Sequence, residues 1–140
     1  MEISQPQFLR CTGDLSASFS SSGQNLELGN RSAHRAIDAA ETLKEQGYKV
    51  GVINKPTLNI VDEETLKTLA ASGFVLVAET QNQVTGLGSR FGTWLLERGY
   101  TPRYKHLGIA KPGEGGGLEQ VGFHGLEPEH LVAAVKELVR

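Results

Sequence analysis

The segment Phe74-Val75-Leu76-Val77-Ala78 constrains this chain more than any other. It is a continuous apolar run, entered from Gly73 and left at Glu79-Thr80. A strand without alternating polar positions has no face to give to water. It must be covered on both sides, which is the condition of a parallel sheet held between helices. The run is therefore expected to be a central strand, and its neighbours should be amphipathic helices.

The flanking sequence supplies them. Ala33, Ala36, Ile37, Ala40 and Leu43 recur at helical spacing, with Arg35, Asp38, Glu41 and Lys44 turned elsewhere. Gly47 is placed to end that helix in a positive-φ cap. Residues 48–54 read as the next strand, with Val50, Val52 and Ile53 apolar, and Pro56 forbids a longer central ladder. Asp62 is the expected N-cap of a second helix, with Glu63 and Glu64 favourably set against its positive end. Leu66, Leu69 and Ala70 form its apolar side, and Gly73 marks its stop.

Beyond the apolar run, residues 86–98 read as a helix with Leu87, Phe91, Trp94 and Leu95 on one side and Gly99 as its cap. A strand is expected at 103–109, a loop at 111–117 and a short helix near Leu118. A last helix should open at Pro128, where a missing N–H costs nothing. Its apolar face would hold Leu131, Val135, Leu138 and Val139. Residues 1–13 read as a linker, and one further strand is expected within 14–20. Strands alternating with helices at short intervals predict one three-layer α/β/α domain over 14–140, with a mainly parallel sheet of about five strands.

Charge and cysteine content narrow the function. At net charge -2 and pI of about 6.1, no basic stripe invites nucleic acid. No apolar run is long enough to span a bilayer, and residues 1–10 lack a signal-peptide layout. The single cysteine, Cys11, excludes an internal disulfide, and a reducing cytoplasm is the expected compartment.

In open parallel sheets, ligands gather beyond the carboxyl ends of the strands. There the chain offers Glu79 and, after the loop 81–85, the helix start Gly86-Leu87-Gly88-Ser89. Free N–H groups at such a start can cradle a phosphate or carboxylate, with Ser89 as a further donor and Glu79 nearby. The other reading is that Gly86, Gly88 and Gly92 let the helix lie close to the sheet or a partner. Glu79 would then pair with a neighbouring cation or cap a helix. GLGSRFG is a poor dinucleotide fingerprint, because its third glycine falls one residue late, and GEGGG at 113–117 lacks the ending of a phosphate-binding P-loop. The four histidines, His34, His106, His124 and His130, include no i, i+4 pair for a metal, so structural or surface roles are expected. His124, in a turn before Gly125, is the one placed to meet a partner. No nucleophile stands at a recognisable spacing from a base.

The order of these motifs resembles the C-terminal domain of the transketolase family. In EQGYKVGVINKPTLNIVDEETL, Thr57, Leu58 and Asp62 match the family's segment opening the second helix, while Asn59, Ile60 and Val61 replace its Lys-Pro-Leu. In FVLVAETQNQVTGLGS, Glu79, Gly86, Gly88 and Ser89 match, and Thr85 replaces a glycine. Gly108, Gly125 and Leu126 fit the closing stretch. The likeness covers about residues 32–139. Transketolases, 1-deoxyxylulose-5-phosphate synthases and the beta subunits of 2-oxoacid dehydrogenases share this domain.

The resemblance implies a parent enzyme using thiamine diphosphate and Mg2+ held between two other domains, with neither bound by this domain alone. It implies no catalytic residue here. Packing against the remaining domains or subunits, in a homodimer or heterotetramer, is the role it assigns. The rival expectations are a free-standing anion-binding module and the corresponding domain of a 2-oxoacid:ferredoxin oxidoreductase.

Overall fold

A computed structural model describes residues 17–19, 26–54, 59–111 and 120–140. The elements run β1 (Ala17–Phe19), α1 (Leu26–Glu45), β2 (Val52–Asn54), α2 (Glu63–Ala71), β3 (Phe74–Asn82), α3 (Leu87–Glu97), β4 (Arg103–Ile109), α4 (Gln120–Phe123) and α5 (Pro128–Leu138). β1 pairs with β2 and β3 with β4, both in parallel. These make two two-stranded ladders, and β1 also lies against β3, so the two pairs adjoin.

The apolar run sits where its composition requires. Phe74, Leu76 and Ala78 enter one core with Ala36, Ala39 and Leu43 of α1 and Leu131, Ala134 and Val135 of α5. Val75 and Val77 enter a second core with Leu66 and Leu69 of α2 and Leu87, Phe91 and Leu95 of α3. The two-residue period of a strand thus divides one sequence between two cores. Helices cover both faces of the sheet. Each fully buried Leu, Val or Phe contributes about 1.5–3 kcal/mol relative to exposure, so the cores on both faces of β3 carry much of the fold.

The helix ends follow local chemistry. After α1, Gly47 has φ 86° and its N–H bonds the Lys44 carbonyl, while the Tyr48 N–H reaches the Leu43 carbonyl. Gly99, with φ 73°, repeats this closure after α3 through Leu96 and Leu95. Both are Schellman closures, in which the left-handed residue satisfies carbonyls the helix leaves open. α2 begins at its N-cap Asp62. It stops one residue before the expected glycine: Ser72 is the extended C-cap, its hydroxyl 2.5 Å from the Leu69 carbonyl and 2.9 Å from that of Phe74.

Several bounds differ from the sequence reading. Of the strand expected over 48–54, the described ladder covers Val52, Ile53 and Asn54, opposite Ala17, Ser18 and Phe19 of β1; Val50 is buried just ahead of it. β3 runs past Ala78 to Asn82, which pairs with Ile109 after an irregularity in the ladder. α1 starts at Leu26, ahead of the apolar periodicity. Four strands lie among the described residues. The linker at 1–13, Cys11, Pro56, Thr57, Leu58 and the glycine run at 113–117 lie outside them.

Candidate functional site

Glu79 is the only charged residue in the buried polar set of the described chain, at 1% exposure. It follows the apolar run of β3, so the strand carries its carboxylate to the start of α3. There Oε2 accepts from the Leu87 N–H and Oε1 from the Gly88 N–H, each at 2.8 Å. A third donor arrives from β4: His106 Nε2 lies 2.5 Å from Oε1. Against a carboxylate this nitrogen carries the proton. The anion held by the α3 N-terminus is therefore the chain's own.

The two glycines make this approach feasible. A Cβ on Gly86 would overlap the Glu79 carboxylate, and one on Gly88 would overlap the His106 ring. Tyr104, two residues before His106 on the same face of β4, donates its hydroxyl to the Gly88 carbonyl. The preceding turn is closed by Gly86 N–H to the Asn82 carbonyl and Val84 N–H to Asn82 Oδ1, each at 2.8 Å.

Burial is the largest influence on Glu79 and would raise its pKa, but the hydrogen bonds from His106, Gly88 and Leu87 together hold it below the ordinary carboxylate value. Tyr104 is pushed up, first by burial and then by the Glu79 charge. A carboxylate held ionised by three donors is a poor general base near neutrality. The arrangement orders an α3 start.

The structure brings Glu79, Gly86 and Gly88 together and leaves Ser89 exposed, where its carbonyl accepts from Thr93. Leu87 and His106 are the participants that sequence reasoning missed. A signal for His106 existed: with strands beginning at Phe74 and Arg103 in parallel, Glu79 and His106 share the parity that puts them on one face. His124 stacks edge-on against Phe123, with centroids 5.1 Å apart. Among the described residues no group of three or more His, Cys, Asp or Glu could hold a metal ion, and no helix is long and apolar enough to cross a membrane.

A parallel sheet covered by helices on both faces, with its polar centre turned inward, defines an α/β/α domain of the kind expected from the motifs. The Transketolase, C-terminal domain family matches residues 30–131. The chain belongs to that family. A putative uncharacterized transketolase family protein of Sinorhizobium fredii is 32% identical over 108 residues, covering 74% of this chain and 31% of that protein. A 1-deoxy-D-xylulose-5-phosphate synthase of Dehalococcoides mccartyi is 36% identical over 78 residues, covering 55% of this chain and 12% of that one. The chain thus spans about a third or less of the length of these relatives. Among solved structures, a split gene transketolase described as an inactive beta4 tetramer superposes with a TM-score of 0.77 at 24% identity, over 99% of this chain and 43% of that one, a likeness of fold.

Proposed function

We propose that this chain serves as the non-catalytic C-terminal domain of a transketolase-type enzyme dependent on thiamine diphosphate and Mg2+, one that transfers two-carbon ketol units between sugar phosphates in the cytoplasm. Its work is to pack against the remaining domains or subunits in a homodimer or heterotetramer, with 14–140 as the folded unit. The observation that carries this reading is the extent of the match, which is to a C-terminal domain and reaches only 31% of the length of the Sinorhizobium relative.

The polar centre agrees with it. The diphosphate of the cofactor does not fit the α3 N-terminus, because its negative charge would meet the Glu79 carboxylate already bonded to Leu87 and Gly88. No reaction step is assigned to these residues.

Two measurements test the proposal. The purified chain, given thiamine diphosphate, Mg2+, a ketose phosphate and an aldose phosphate, should show no ketol transfer; turnover by the chain alone would refute the non-catalytic role. An immunoblot of the native cells should show either a polypeptide several times longer, or a band at this size that co-purifies with a separate subunit. A lone monomer at this size would refute the packing role. The match to a 1-deoxy-D-xylulose-5-phosphate synthase favours a second reading of the parent enzyme, which assay of the assembled protein for 1-deoxyxylulose-5-phosphate formation decides.

A further inference from the structure

Helix starts with glycine-rich loops invite external anions, and this one has an unusual occupant. Its donors converge on a side chain that reaches back from the preceding strand, is 1% exposed, and has both oxygens engaged. A second observation, independent of the helix end, is steric: Gly86 and Gly88 lack the Cβ atoms that would displace the Glu79 carboxylate and the His106 imidazole. His106 closes the remaining side, its own side chain only 14% exposed. The titratable side chains facing Glu79 among the described residues, His106 and Tyr104, both come from β4; α3 contributes backbone groups.

We infer that Glu79 is a built-in anion that closes the α3 N-terminus to phosphate and carboxylate ligands, with His106 as the positioning residue that holds it there. The glycine pattern, on this account, accommodates an intramolecular ligand. A diffusible anion would have to displace a buried carboxylate together with three hydrogen bonds and would leave that charge without donors, which is costly. This holds whichever enzyme the domain belongs to.

The test follows the Leu87 and Gly88 amide signals by 1H–15N spectroscopy of the purified chain, titrated with inorganic phosphate and then acetate at constant ionic strength. In the unsubstituted chain both signals should stay in place. In Glu79→Ala, acetate should shift both saturably and raise the melting temperature, by filling the position left by the carboxylate. Saturable movement of these amides by phosphate in the unsubstituted chain would overturn the inference, as would a folded Glu79→Ala chain whose amides ignore both anions. Should Glu79→Ala fail to fold, acid titration of the unsubstituted chain decides. The two amides must then move with the same midpoint as the Glu79 carboxyl carbon, and a different midpoint refutes the contact.

Discussion

Two helices in the same layer begin in opposite ways. α2 starts with a local, exposed cap: Asp62 accepts from the Thr65 N–H at 3.1 Å and from the Thr65 hydroxyl at 2.6 Å. α3 starts with Gly86, which has no side-chain cap, and is served by Glu79 from within the sheet. The first cap needs only its own turn of chain. The second exists only once β3, α3 and β4 are assembled, because its donors and acceptor come from all three. A local cap stabilises a helix; a buried, shared one also fixes where that helix sits on the sheet.

The largest break in this comparison should come from Glu79→Leu. It removes the acceptor from two amides and an imidazole inside the protein, and a loss of about 3–5 kcal/mol is expected in urea unfolding. Acid should weaken the same link. The hydrogen bonds hold the folded pKa of Glu79 below that of an ordinary carboxylate, so its contribution is complete above the ordinary value and is lost as pH falls through the folded pKa. Glu79→Gln should flatten this part of the stability–pH curve, and an unchanged curve would assign the dependence elsewhere.

Gly88→Ala comes next. Its methyl group meets the His106 ring, and a loss of about 1–3 kcal/mol is expected. A chain of unchanged stability would mean that the ring has room to move. Asp62→Ala, at the exposed local cap, should cost about 1 kcal/mol and leave the Leu87 and Gly88 amide shifts untouched. The smallest effect sharpens the contrast by changing sign. A Cβ at Gly92 would lie 3.4 Å from the Tyr104 ring, an ordinary contact, so Gly92→Ala should stabilise by up to about 1 kcal/mol through helix propensity. A marked loss there would show that α3 as a whole, and not only its first turn, demands glycine.

What could be read ahead of the structure follows the same division. Asp62, Gly47 and Gly99 announce caps whose bonding partners lie within a turn of the chain, and the structure places all three at helix ends. The Phe74 strand announces burial on both faces by composition alone. The ladder bounds were less legible. Tyr48 and Val50 have strand character yet lie ahead of the ladder that starts at Val52, and after Ala78 the polar Asn82 still joins β4. At the site, Glu79, Gly86 and Gly88 stood out by position, whereas Ser89 is turned to solvent and His106 was marked only by the parity it shares with Glu79 once β3 and β4 are paired.

By itself, then, the sequence determined a helix-covered parallel sheet, the order of its elements and the family to which the domain belongs, since periodicity, caps and glycine stops act over a few residues. Only the tertiary structure decided which anion the α3 N-terminus holds. Glu79 and His106 are 27 residues apart along the chain, and they meet because the parallel register sets Val77 beside His106 and so carries the next residue on that face, Glu79, into reach of its ring.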